Sequence, residues 1–311
     1  MQILIQLLLL MVGFSLLMKG ADWFVEGASK IADKFGIPQL VIGLTMVAIG
    51  TSLPEAAVSI TAALKGSAEI TIGNVLGSNI MNILVILGLT SVICPVPVQK
   101  STVKYELPFV ILVTMVLAVL GLMDNTVSRS EGVILWVFMG IYLVYLLQMA
   151  KKGTESETEE EEQKSPVWKM LLLVVVGAVM IVFGSDVTVD AATELAIIFG
   201  MSERLIGLTI VAFGTSLPKL VASSTAAMKG KADIAMGNIV GSNIFNILFV
   251  VGTTAVITPV VYGENFVVDS IVAVSAVVLL LLCVLRKQKL TRLGGAVMLL
   301  GYAGYFMYLM R

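Results

Sequence analysis

Gly43-Leu-Thr-Met-Val-Ala-Ile-Gly-Thr-Ser-Leu-Pro-Glu55 decides how this chain is read, because it occurs twice. It returns 164 residues later as Gly207-Leu-Thr-Ile-Val-Ala-Phe-Gly-Thr-Ser-Leu-Pro-Lys219. Each copy is an apolar run interrupted by Gly-Thr-Ser-Leu-Pro, with a charged residue directly after the proline. That residue is Glu55 in the first copy and Lys219, of opposite sign, in the second. The same offset carries Gly20 to Gly184, Asp22 to Asp186, Phe35-Gly36 to Phe199-Gly200, and Gly66 to Gly230. It also carries Gly73-Asn-Val-Leu-Gly-Ser-Asn-Ile-Met-Asn-Ile-Leu84 to Gly237-Asn-Ile-Val-Gly-Ser-Asn-Ile-Phe-Asn-Ile-Leu248. The chain is therefore read as a duplication.

The composition sets the class. Of 311 residues, 58% are hydrophobic and 13% charged, and mean hydropathy is +1.00. Soluble domains carry about 25% charged residues, so this is expected to be a polytopic membrane protein in a lipid bilayer. A net charge of -1 implies no nucleic-acid partner. The absence of histidine removes most zinc and haem chemistry. Cys94 and Cys283 form no motif and read as small core residues. The first apolar run, Ile3 to Leu17, lacks a basic start and a small-residue cleavage site, and reads as a membrane helix.

About 20 apolar residues cross a bilayer as a helix. That length predicts ten spans, at roughly 3–25, 38–64, 71–95, 106–123, 131–149, 167–189, 204–228, 235–259, 266–285 and 293–310. Between the fifth and sixth lies Lys151 to Pro166, the only long polar segment, which contains Glu155, Glu157 and Glu159 to Glu162. It reads as a solvated, flexible linker, since a bare glutamate run is no Ca2+ cage. An odd number of spans per half means that the second copy enters the membrane from the opposite side. The expected fold class is an all-α polytopic membrane protein with ten transmembrane helices as two inverted five-helix repeats. They occupy 1–150 and 167–311, joined by the linker at 151–166. Such repeats occur in secondary transporters, with the substrate near the midplane where the halves meet.

Basic residues predict the orientation. With the N-terminus outside, the inner segments hold Lys30, Lys34, Lys100, Lys104, Lys151, Lys152, Lys164, Lys169, Lys229, Lys231, Arg286, Lys287, Lys289 and Arg292. The outer segments hold only Lys65, Arg129, Arg204 and Arg311. Both termini are thus expected outside a cell membrane and the linker in the cytoplasm. Lys19, inside the first span, is expected to pair with a carboxylate or to reach the interface.

The paired motifs carry the chemistry. Pro54 lacks an amide hydrogen and Gly50 weakens a helix, so Gly50 to Pro54 is expected to break its span. Freed carbonyls at that depth must face protein or a wet cavity. Hydroxyl, carbonyl and carboxylate oxygens are hard ligands suited to Na+ and Ca2+. Glu55 costs at least about 2.5–3.5 kcal/mol at the centre of a span, which marks it as functional. In the second motif, Ser78 and Asn82 share one helix face, as do Ser242 and Asn246. Asn79 and Asn243 read first as packing residues with interhelical amide bonds. Gly73 and Gly77 form Gly-x-x-x-Gly, expected to let two helices approach closely. Asp22 and Asp186 could line an ion path or be ordinary interfacial carboxylates.

These paired Gly-Thr-Ser-x-Pro and Gly-Asn-x-x-Gly-Ser-Asn motifs, in a five-plus-five repeat spanning the whole chain, resemble the sodium/calcium exchanger family of the calcium/cation antiporters. The resemblance implies exchange of Na+ and Ca2+ by alternating access, with no cofactor and with a monomer sufficient. It implies an ion-binding core of the second, third, seventh and eighth helices, across which the first and sixth slide. The family's ligand positions fall on Ala48, Thr51, Ser52, Glu55, Ser78 and Asn82 in the first half. In the second they fall on Ala212, Thr215, Ser216, Ser242 and Asn246, with the alanines acting through carbonyls.

Lys219 departs from the pattern, which places a second glutamate there. Glu55 and Lys219 sum to about zero charge. Three readings follow: Lys219 impairs Ca2+ transport and locks a state, replaces one transported cation and alters the stoichiometry or the substrate, or snorkels away. Proton-coupled exchange is the competitor within transport. An intramembrane aspartyl protease using Asp22 and Asp186 is the competitor outside it, but Gly-x-Gly-Asp is absent and no enzyme is expected.

Overall fold

The computed structural model describes residues 2–64, 69–154, 166–200, 216–263 and 265–309. Among them are ten helical runs: α1 (Gln2–Phe35), α2 (39–64), α3 (69–93), α4 (Thr102–Asp124), α5 (Arg129–Thr154), α6 (Val167–Ile198), α7 (Leu217–Met228), α8 (Ala232–Ile257), α9 (Asn265–Leu285) and α10 (Arg292–Leu309). Seven of them, all but α2, α7 and α10, are long and apolar enough to cross a membrane by length and composition. The acidic segment 155–165 and the start of the expected seventh span, including Ala212 and Thr215, lie outside the described residues.

The two repeat-related helices α1 and α6 overrun their expected ends at 25 and 189. They contain 34 and 32 residues, about 50 Å each at 1.5 Å per residue, against an apolar bilayer core of about 30 Å. Hydropathy ends where charge begins at Asp22 or Asp186, but backbone bonding continues through the polar turns.

These two helices pack along each other through small residues. A Cβ on Gly20 would lie 2.9 Å from the carbonyl of Gly177, and one on Gly184 would lie 2.9 Å from that of Gly13. Only glycine permits that approach. The pair sits at the periphery. In the apolar window of α1, 17% of residues are buried, against 94% in that of α8, which forms the centre.

Among the described residues, four two-residue strands tie the halves together. β1 (Val96–Pro97) pairs antiparallel with β4 (Lys289–Leu290), and β2 (Thr126–Val127) with β3 (Val260–Val261). β1 and β2 flank α4, so the two ribbons lie at opposite ends of the bundle. Each joins a connecting segment of one half to one of the other.

The expected break at Gly50–Pro54 is not found. Ala48–Leu64 is continuous α-helix through the motif. The missing amide hydrogen of Pro54 leaves one carbonyl free without ending the helix. The irregularity falls one turn earlier, as a π-helical turn at Gly43–Val47. There α2 crosses α8 closely: a Cβ on Gly43 would lie 2.9 Å from the carbonyl of Ile234, and one on Gly241 would lie 2.6 Å from that of Leu44. Gly237 and Gly241 thus make the close approach expected of their copies. Among the described residues, Gly73 meets only the Phe266 ring and Gly77 nothing within 4 Å. In the second copy, helix begins at Leu217, with Pro218 in the first turn, where a missing N–H costs nothing.

Candidate ion-binding site

Two further π-helical turns mark the centre of the bundle, at Asn82–Leu87 and Asn246–Val251. They are one repeat apart, and such turns concentrate at functional sites because the wider ring re-aims side chains and carbonyls. The Asn82 turn packs against α7, and the Asn246 turn packs against the α2 segment that carries Glu55.

Between the turns lies a clasp of four asparagines. Asn79 Nδ2 donates to the Asn243 carbonyl at 3.1 Å, and Asn243 Nδ2 returns a bond to the Asn79 carbonyl at 3.2 Å. Asn82 Nδ2 donates to Asn243 Oδ1 at 2.8 Å, and Asn246 Nδ2 to Asn79 Oδ1 at 3.1 Å. The clasp is nearly two-fold symmetric and joins α3 to α8. Asn79 and Asn243 therefore play the packing part read for them. Their side-chain oxygens also hold the amides of Asn82 and Asn246. Asn82 Oδ1 and Asn246 Oδ1 remain buried, with no hydrogen-bond partner among the described residues.

Next to the clasp, Lys219 and Glu55 form an ion pair across the two halves. Lys219 is 0% exposed and Glu55 6%. Lys219 Nζ donates to Glu55 Oε1 and, at 2.9 Å, to the Thr51 carbonyl. Lys219 thus does not snorkel. Glu55 Oε2 and Ser52 Oγ are buried with no hydrogen-bond partner among the described residues. The Thr51 hydroxyl sits 2.8 Å from Asn238 Oδ1 and 3.0 Å from the Val47 carbonyl. Ser242 Oγ lies 3.4 Å from the Ala48 carbonyl, and Ser216 Oγ 2.8 Å from the Met81 thioether. Ser78 is half-buried.

The structure thus places Ala48, Thr51, Ser52, Glu55, Asn82, Ser216, Lys219, Ser242 and Asn246 in the buried interior, while Ala212 and Thr215 lie outside the described residues. Sequence reading passed over Asn238, which fixes Thr51 and donates to Ser223 Oγ at 2.9 Å. Its copy Asn74 donates to Ser59 Oγ at 2.9 Å. Both are the asparagine of Gly-Asn-x-x-Gly, so the signal was the motif's second residue. Lys19 lies with its ammonium 5.6 Å from the Trp23 ring centre. A groove of about 380 Å³ between α4 and α5, lined by Glu106, Phe109, Tyr142 and Tyr145, is elsewhere.

Four oxygens that find no hydrogen-bond partner among the described residues could each accept a hard cation: one carboxylate, one hydroxyl and two amide carbonyls. Leaving such groups dry and unpaired costs about 1–3 kcal/mol each, more for a charge, so the arrangement suits a cargo ion that comes and goes. An oxygen-lined site buried between related halves of a helical membrane bundle is the arrangement of a secondary transporter. The model of the family described as sodium/calcium exchanger protein matches residues 5–148 and 169–311. The putative antiporter CaxA of Alkalimonas amylolytica is 41% identical over 97% of this chain and 98% of its own. The sodium/calcium exchanger MaX1 of Methanosarcina acetivorans is 30% identical over 99% of both chains. A solved structure of the sodium-calcium exchanger NCX_Mj superposes with a TM-score of 0.82 at 34% identity, covering 97% of each chain. The chain belongs to the sodium/calcium exchanger family, which makes it a transporter rather than an enzyme.

Proposed function

We propose that the chain is a membrane cation antiporter of the Na+/Ca2+ type in which the Lys219 ammonium occupies one cation position of the site. The carrying observation is the bonding of that ammonium to Glu55 and to the Thr51 carbonyl, two groups that a transported ion would otherwise coordinate. At an effective dielectric near 20, unit charges about 4 Å apart attract by about 4 kcal/mol before desolvation. An incoming Na+ therefore competes with a tethered ion of equal charge, and Ca2+ meets a site whose side chains sum to zero rather than to two negative charges. Ca2+ exchange is impaired, or proceeds with one fewer mobile cation.

The liganding set is Ala48, Thr51, Ser52, Glu55, Ser78 and Asn82 with Ala212, Thr215, Ser216, Ser242 and Asn246. The halves at 1–150 and 167–311 supply it jointly, and α1 and α6 move across the core of α2, α3, α7 and α8 to expose it to each side in turn. The basic residues support both termini outside and the 151–166 linker in the cytoplasm. A single cysteine in that linker then reacts with an impermeant thiol reagent only after the membrane is opened, and reaction in intact cells reverses the orientation.

In proteoliposomes with an outward Na+ gradient, Lys219→Glu should raise uptake of radiolabelled Ca2+ sharply over the parent. Equal uptake by both removes Lys219 from the site. The same pair supports a second reading. A proton leaving Lys219 would free Glu55 for an external cation and couple exchange to protons. Ca2+ uptake driven by a pH gradient in the parent, and lost in Lys219→Glu, is its mark.

A further inference from the structure

Outside the site, another ion pair joins the peripheral helices to the core. Lys229 Nζ lies 2.9 Å from Asp22 Oδ1, and it donates to the Asp22 carbonyl at 3.2 Å. Asp22 belongs to α1. Lys229 is the C-cap of α7, the helix that carries Lys219. Gly230 follows with φ +73°, in the left-handed region that glycine tolerates. That turn holds Lys229 at the helix end, facing α1. The ammonium also lies beyond the last carbonyls of α7, where the helix dipole favours positive charge.

Three observations give the pair a meaning beyond surface decoration. First, it sits on the seam where α1 meets α7: α1 packs along α6 through glycine contacts at Gly13, Gly20, Gly177 and Gly184 and also against α7, while α7 packs against α8. Second, α1 and α6 contact at backbone distance, so any displacement of one carries the other. Third, the offset of 164 residues carries Asp22 to Asp186. Asp186 therefore stands on α6 where the inverted repeat puts it toward the opposite face, and it is exposed. The two aspartates ride on one moving unit at repeat-related positions.

We infer that Asp22–Lys229 is a latch that holds one access state by clamping the α1–α6 unit to the end of α7, on the face where Lys229 lies. The inference rests on the reading that α1 and α6 move against the core. The latch is half-exposed, with 37% and 46% of the Lys229 and Asp22 side chains accessible. An exposed pair of this kind shifts a two-state ratio only about two- to five-fold. That suits a device which biases two states without locking either.

The test uses the full chain with Cys94 and Cys283 replaced by serine. Spin labels on α1 and α8 report the distance distribution between the moving unit and the core. Asp22→Asn should lower the latched population about two- to five-fold, and the charge swap Asp22→Lys with Lys229→Asp should restore it. Asp186→Asn should not lower that population. A thiol-to-thiol crosslinker of about lysine length, placed between cysteines at positions 22 and 229, should collapse the distribution to the latched peak. An unchanged distribution in Asp22→Asn, or two populated states that survive the crosslink, overturns the latch. If the latch responds as expected while the parent moves neither Na+ nor Ca2+ in liposomes, the conformational inference stands and the transport reading fails.

Discussion

Replacing Lys219 by glutamine removes the ammonium and leaves a polar side chain of similar length. Glu55 would then be a buried carboxylate, 6% exposed, without its cation. Removing one partner of a buried pair costs about 3–5 kcal/mol, because the remaining charge is uncompensated. For a chain of this size, roughly 2 °C of unfolding temperature goes with each kcal/mol, so the variant should melt about 6–10 °C below the parent in Na+-free buffer. A free cation can take the vacated position. At 100 times its Kd it returns about 2.7 kcal/mol, or roughly 5 °C. The parent, which carries its cation covalently, should gain much less. The assay is thermal unfolding in detergent, read by a thiol-reactive dye at the half-buried Cys94 and Cys283, in choline and then in rising Na+. Two results would refute the reasoning. One is a variant as stable as the parent without Na+, which would mean that the pair compensates nothing. The other is a parent that gains as much from Na+ as the variant, which would mean that the ammonium does not hold a cation position.

The clasp can be opened by Asn243→Ala. This strips the acceptor from Asn82 Nδ2 and the donor from the Asn79 carbonyl, both buried, and should cost about 2–4 kcal/mol by thermal unfolding. An unchanged melting temperature would mean that water substitutes freely. At the α1–α6 seam, Gly20→Ala puts a methyl 2.8 Å from Met180 Cβ and 2.9 Å from the Gly177 carbonyl. It should destabilise by about 1–3 kcal/mol. Gly301→Ala meets nothing nearer than 3.9 Å and should stabilise by roughly 0.5–1 kcal/mol, since alanine is the better helix former. Equal shifts in the two would deny the seam its tight packing.

The duplication was legible because polar residues inside apolar spans are expensive and stand out. Glu55, Lys219, Asn82 and Asn246 needed no coordinates to be singled out, and the structure buries all four, with Lys219 paired to Glu55. The path of the backbone was less legible. Proline and glycine in one short motif read as a break, yet α2 runs through Pro54 and widens instead at Gly43–Val47. That widening follows from the close crossing with α8 at Gly237 and Gly241, a tertiary contact that local propensity does not contain. The ends of α1 and α6 were missed for a related reason. Hydropathy reports the bilayer and not the helix, so the polar turns beyond Asp22 and Asp186 carried no span signal. Asn238 was hidden by its neighbours, because an asparagine beside Gly-Ser-Asn draws less notice than the hydroxyls and amides that follow.

Antiport also requires that an empty site not change sides, since a site that reorients unloaded dissipates the driving gradient. In a site with two carboxylates, uncompensated charge in a low-dielectric interior opposes that step by several kcal/mol, and a bound cation removes the penalty. Glu55 with Lys219 is already neutral, so the penalty is absent before any ion arrives. It follows that the parent should populate both access states in ion-free buffer, with a ratio that hardly responds to Na+ or Ca2+. Lys219→Glu should populate one state without ions and recover the other as cation is added, to the extent that the ion binds the states differently. Distance measurements between labelled α1 and α8 decide this. A parent confined to a single state in the absence of ions, and released from it by Na+, would show that neutralising the site does not uncouple its movement. Lys219 would then have to act on the chemistry of the bound ion alone.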